Sequence, residues 1–196
     1  VPFATQFMSQ TNLKMDLKVI SQDLSSFYAA KIEKYRLSEN HIIDKMPFNL
    51  FWVGFLAISF PNAQFVHCKR DARATCWSNY ETSFAEGNQF SYKLNEIVRH
   101  YNNCEDLMLF WKSKFQDRIF TLDYDAFTEE PEIIGSSLFD FLQLSWKQEY
   151  LDGKRNDRPV KTASQLQVKR GIYRNSSQAW KNFEPFIGKA FQPLID

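Results

Sequence analysis

A chain of 196 residues with 44% hydrophobic and 16% aromatic content can bury roughly 70% of the surface it exposes when unfolded, so one domain over residues 1–196 is the expected organisation. Lys and Arg together number 24 against 23 Asp and Glu, a net charge of +1, which excludes bulk attraction to nucleic acid or to an acidic membrane and requires any anion site to be local. The longest apolar run, Leu50 to Phe60, is broken by Gly54 and Ser59 and falls well short of the roughly 20 residues of a membrane span. The expected protein is therefore soluble, with its compartment open and a cytoplasmic location following if it is bacterial.

Residues 11 to 36 carry Leu13, Leu17, Ile20, Leu24, Phe27, Tyr28 and Ile32 at steps of three and four, the spacing of one or two helices. These form a helical segment over residues 1–40. An α/β core over residues 41–150 follows. "HII" at 41 to 43 is a short strand candidate, Pro47 suits the first turn of a helix, and 48 to 60 is apolar nearly all round, as a helix between layers would be. "PNA" at 61 to 63 ends it. "QFVHC", 64 to 68, predicts a second strand, and Asp71 in "KRDAR" can cap a helix running to about Phe84.

After the break at "EGNQ", Tyr92, Leu94, Ile97, Val98, Tyr101, Leu107, Met108, Trp111 and Phe115 mark a long amphipathic helix. "RIFTLDY", 118 to 124, predicts a third strand, and Pro131 with its flanking acids opens another helix. Strands alternating with helices argue for an α/β fold with a central parallel sheet covered by helices, its ligand at the carboxyl ends of the strands. Residues 151–196 are polar, poor in strand signal and end in a short helix near Trp180. A long irregular stretch of that kind points to a functional role in closing the site.

Three predicted strands end in polar residues: "DK" at 44 and 45, "KRDAR" at 69 to 73 and "DYD" at 123 to 125. In a parallel sheet these ends meet at one edge. Lys45, Lys69, Arg70 and Arg73 beside a helix amino terminus provide the fixed donors and dipole that a phosphate-bearing ligand needs. Arg70 can fork onto a phosphate with Ser78, about two turns into the helix, donating from the same side, and Tyr124 offers a hydroxyl and an aromatic face. Against this stand blander readings, in which strand-end charge is simply solvated, Asp44 and Asp71 are helix caps and His67 is a satisfied core histidine. Cys68, Cys76 and Cys104 are too few and too irregularly spaced for a zinc site or a disulfide framework. HExxH, paired CxxC and GxSxG patterns are absent from the sequence, which removes the residues of zinc and serine hydrolases.

The segment "RPVKTASQLQVKRGIYRNSSQAW", 158 to 180, is the strongest pattern. With "DKMPFNLFWVG", "FPNAQFVHCKRDARATCWSNYETSF" and "IFTLDYDAF", it resembles the sulfotransferases that use 3′-phosphoadenosine 5′-phosphosulfate, in the branch of the tyrosylprotein sulfotransferases and their bacterial tetratricopeptide-linked relatives. The resemblance covers about residues 41 to 183. It implies a P-loop-NTPase-like three-layer fold and transfer of a sulfuryl group to a hydroxyl or amine of a peptide, sugar or small metabolite. It further implies that Lys45 reaches the 5′-phosphosulfate, that Arg70 and Ser78 hold the 3′-phosphate and that Tyr124 lies near the nucleotide. Ser164 would contact the transferring group, with Lys169 and Arg170 close to the nucleotide. By analogy with phosphoryl transfer, the chemistry needs in-line positioning and stabilisation of the leaving phosphate, which a lysine supplies without a metal.

Members of this family begin with a strand and a glycine-rich phosphosulfate loop, followed by a helix and an acidic base. No glycine precedes Gly54 here, so residues 1 to 40 cannot build that loop. Ala179 stands where relatives often carry a basic residue, and Gly171 where they carry a proline. The expectation is a fragment whose missing amino-terminal part supplies loop and base, with an open sheet edge that could pair in a homo-oligomer. The alternative is a diverged, non-catalytic interaction module that pairs with another chain.

Overall fold

The computed structural model describes residues 17–33, 35, 40–84, 88–152 and 176–194. Helix α1 is Leu17–Glu33, a 3-10 turn Pro47–Trp52 leads into α2, Val53–Ser59, and strand β1 is Phe65–Lys69. Then come α3, Ala72–Glu81, and the long α4, Leu94–Lys114. Strand β2 is Ile119–Asp123, followed by α5, Tyr124–Glu129, and α6, Pro131–Phe141. The carboxyl-terminal part holds a 3-10 helix Ser176–Phe183, α7, Glu184–Ile187, and a last 3-10 turn Gly188–Phe191. Among the described residues β1 and β2 form one small parallel sheet in a mostly helical α/β fold, with α3 and α4 in the crossover between them.

The strand expected at 41 to 43 does not form. Those residues carry no strand pairing, and Ile43 is 91% exposed, so a β-branched run lacks the neighbours from which strand preference arises. The helix expected over 48 to 60 is a 3-10 turn first and an α-helix only from Val53. Pro47 still opens it at the first turn. The helix after β1 stops at Glu81, short of Phe84.

The chain divides into two compact units, Val1–Phe65 with Leu107–Ile119, and Val66–Asp106 with Phe120–Asp196. In the first, Ile20 and Leu24 of α1 are buried with Phe27 and Phe55 against them. A second cluster joins Val53, Met108 and Ile119, with Leu50, Phe65, Trp111 and Phe115 around it. Gly54 is required there, because a Cβ would come within 2.6 Å of the Trp111 ring, whose Nε1 donates to the Leu50 carbonyl at 2.9 Å.

Arg118 closes this unit. Its Nε donates to the Ala63 carbonyl at 2.9 Å, Nη1 to Ala57 at 2.9 Å, and Nη2 to Phe60 and Ala63 at 2.7 and 2.8 Å. The carbonyls at the end of α2 have no intrahelical partners. A guanidinium, with a fork of donors on a delocalised charge, satisfies them and complements the negative end of the helix. The same group lies 5.5 Å from the Phe65 ring centroid, and burial draws its pKa below the ordinary arginine value.

The second unit has its core where α3, the first half of α4 and the carboxyl-terminal turns meet. Ala74, Cys76 and Trp77 pack with Ile97, Val98, Trp180 and Phe191, and Asn102 Nδ2 donates to the Pro193 carbonyl at 2.7 Å. Helix α6 ends in a left-handed cap, with Gln143 at φ 56°. The Leu144 N–H reaches the Phe139 carbonyl at 2.9 Å and that of Gln143 reaches Asp140 at 3.0 Å, the pattern of a Schellman motif.

Asp44, expected as a helix cap, is not one. Met46 occupies the cap position before Pro47 without a side-chain bond, and Asp44 instead accepts from the Tyr28 hydroxyl of α1 and from Asn49 Nδ2 at 3.4 Å. Burial first, then the Asp44 charge and this hydrogen bond, push the Tyr28 pKa up to about 12.

Two predictions follow from the first unit. Arg118→Lys keeps a charge but reaches fewer carbonyls, and urea unfolding should show a loss on the order of 2–3 kcal/mol; an unchanged midpoint would refute the clamp. The raised Tyr28 pKa stabilises the fold fully below pH ~10 and loses that contribution as pH climbs through about 12. Tyrosinate absorbance should therefore show one late-titrating group near that pH, missing in Tyr28→Phe, and the stability difference between wild type and that variant should be largest below pH ~10 and narrow as pH rises towards about 12.

Candidate active site at the strand ends

Parallel strands deliver the residues that follow them to one edge of the sheet. After β1 come Arg70 and Asp71, and after β2 come Tyr124 and Asp125. The edge is held together by a chain of hydrogen bonds. The Asp71 N–H donates to Asp125 Oδ2 at 2.8 Å, and Asp125 Oδ1 accepts from the Ser177 hydroxyl in a short bond. Ser177 Oγ in turn accepts from Arg70 Nε at 2.8 Å. Ser177 is 5% exposed, so three segments distant in sequence meet at a nearly buried hydroxyl.

Each strand end also starts a helix, and the local sequence explains both. Asp71 Oδ1 accepts from the Ala74 N–H at 2.7 Å, capping α3, and Asp123 Oδ1 accepts from the Ala126 N–H at 3.0 Å, capping α5. Short acceptors of this kind satisfy amides that a helix start leaves without partners. The expected cap at Asp71 is thus present.

The basic run at 69 to 73 is divided by what its members touch. Lys69 Nζ lies 3.2 Å from Glu105 Oε2 of α4, whose other oxygen is 3.6 Å from His67 Nε2. His67 is half-buried in β1 facing the same way as Lys69, in keeping with a structural histidine. The Arg73 guanidinium lies 5.7 Å from the Trp180 ring centroid, a cation–π contact inside the packing of the second unit. Arg70 is engaged by the Ser177–Asp125 relay. Ser78 is half-buried on α3, eight residues beyond Arg70, and Tyr124 is the half-buried first residue of α5.

Lys45 belongs to the first unit and is exposed, on the extended segment before Pro47 whose Asp44 is tied to Tyr28. Ser164, Lys169 and Arg170 lie outside the described residues. The structure therefore brings Arg70 together with Asp71, Asp125 and Ser177, of which Ser177 carried no sequence signal and Asp125 only that of a strand end. Cys76, within the same core, is held as a thiol: burial and then the neighbouring Asp71 charge push its pKa up to about 12, so it has no nucleophilic role at neutral pH.

An arginine fixed at a strand end, a hydroxyl two turns along the helix it precedes and an aromatic residue after the adjacent strand suit a nucleotide with a terminal phosphate. The profile of the sulfotransferase family matches residues 2–148. An uncharacterized protein of Aquifex aeolicus is 34% identical over 185 residues, covering 93% of this chain and 24% of its own length. A putative protein-tyrosine sulfotransferase of Caenorhabditis briggsae is 23% identical over 184 residues, 91% of this chain and 65% of the relative. Protein-tyrosine sulfotransferase 1 of Danio rerio is 25% identical over 136 residues, 68% and 38% of the two chains. This chain thus spans about a quarter of the Aquifex relative and less than two thirds of the other two. Among solved structures, the sulfotransferase domain from the curacin biosynthetic pathway shares the fold at a TM-score of 0.61 and 16% identity, covering 88% of this chain and 69% of that one. With three quarters of its length matched by the family profile, the chain belongs to the sulfotransferase family.

Proposed function

We propose that the chain carries the nucleotide-binding part of a sulfotransferase that moves a sulfuryl group from 3′-phosphoadenosine 5′-phosphosulfate to a hydroxyl or amine. The observation that carries this reading is the fixed placement of Arg70 at the carboxyl end of β1, immediately before α3, by Ser177. A guanidinium held there is preorganised for an anion, and less side-chain freedom is lost on binding.

Arg70 and Ser78 hold the 3′-phosphate, and Tyr124 lies against the nucleotide, with Lys169 and Arg170 flanking it. Lys45 stabilises the phosphate that leaves and Ser164 donates to the oxygens of the sulfuryl group. In the transfer the bond between sulfur and the phosphate oxygen breaks, a bond from sulfur to the acceptor oxygen or nitrogen forms, and the acceptor gives up its proton to a base. The leaving phosphate gains negative charge, so an ammonium at Lys45 acts where charge develops. No metal is needed for that step. The acceptor is proposed to be a tyrosine hydroxyl in a peptide, a choice supported by the names of two relatives.

Titration calorimetry of the chain with 3′,5′-adenosine bisphosphate tests the binding half of this reading. Arg70→Ala should weaken binding by about 10- to 100-fold, the worth of one or two charge-assisted hydrogen bonds, and Ser78→Ala by about tenfold; undiminished affinity in Arg70→Ala would remove the assignment. Lys45→Ala should lower the rate of sulfuryl transfer to a tyrosine peptide by about 100-fold or more while affecting bisphosphate affinity far less. Equal losses in rate and affinity would place Lys45 in binding alone.

A further inference from the structure

We infer that Ser177 and Asp125 are positioning residues for Arg70, a polarised relay that fixes the guanidinium for the 3′-phosphate. The inference rests on the reading that Arg70 holds that phosphate. Its basis is the direction of every bond in the relay. Arg70 Nε can only donate, so Ser177 Oγ accepts from it and must turn its single proton elsewhere, towards Asp125 Oδ1. The second oxygen of Asp125 is occupied by the Asp71 N–H at 2.8 Å.

That geometry decides what each substitution does. Ser177→Ala removes the acceptor of Nε and leaves the 5% exposed site without a bridge between arginine and carboxylate. Asp125→Ala removes both acceptors at once, that of the Ser177 hydroxyl and that of the Asp71 N–H. Arg70 is held less narrowly once the relay is broken, and the ligand must reorder it on binding.

Calorimetry on the full chain, comparing 3′,5′-adenosine bisphosphate with adenosine 5′-phosphate, tests the relay. Ser177→Ala and Asp125→Ala should each weaken the bisphosphate about tenfold, leave the 5′-phosphate affinity unchanged, and add no further loss in the Arg70→Ala background. Ser177→Thr, which keeps the hydroxyl, should retain the wild-type preference for the bisphosphate, and it carries the comparison with Asp125→Ala if Ser177→Ala does not fold. Equal weakening of both ligands, unchanged bisphosphate affinity in Ser177→Ala or Asp125→Ala, or losses that add to that of Arg70→Ala would overturn the relay. If Arg70→Ala itself leaves bisphosphate affinity intact, or the wild-type chain binds none, the phosphate assignment fails and the relay with it.

Discussion

The carboxylate of Asp125 governs the carboxyl edge of the sheet. One oxygen accepts the backbone N–H of Asp71 at the end of β1 and the other accepts Ser177 from the carboxyl-terminal 3-10 helix. A two-stranded sheet is marginal by itself in water, and its strand ends would fray without cross-links. Because Asp71 also caps α3 and Asp123 caps α5, a single acid fastens two strand-to-helix turns to each other. The position of α3, and therefore of Ser78 along it, follows from that bond.

Arg118 does comparable work in the first unit, before β2 begins. It gathers the carbonyls of Ala57, Phe60 and Ala63 at the end of α2 and in the turn that precedes β1. The two devices have opposite charge because they serve opposite ends of helices. A cation suits the carbonyls at the carboxyl end of α2, and the acids Asp71 and Asp123 suit the amino ends of α3 and α5. Helix polarity and the direction of a parallel sheet thus dictate where acids and bases stand.

The elements most legible in the sequence are those with a local chemical signal. Asp71 before an apolar-periodic run, Pro131 after two acids and the long stripe from Leu94 to Trp111 each form what their spacing predicts. "HII" misleads because β-branching only records fitness for a pleated surface, and Ile43 has no such surface to join. Of the candidate site, Arg70, Ser78 and Tyr124 are proposed from strand ends and the family resemblance, whereas Ser177 lies 107 residues from Arg70 and 52 from Asp125, and no window of sequence contains that contact. Nor could the run "KRDAR" reveal that Lys69 turns to Glu105 and Arg73 to Trp180, since both partners are distant in the chain.

The division among those three bases sharpens the chemistry more than their number does. A cluster of three solvated cations would raise local anion concentration without choosing an orientation. Here Lys69 is offset by Glu105, and Arg73 is drawn over an indole inside the core of the second unit. Arg70 is turned to a different partner from both, and its orientation is set by a nearly buried serine. For sulfuryl transfer this is the useful arrangement. In-line reaction depends on holding the donor nucleotide in one pose, and a misplacement of the order of ~1 Å is enough to reduce the rate about 100-fold. On the proposed reading of Arg70, a single oriented guanidinium at the far end of the nucleotide fixes that pose better than diffuse charge of the same total.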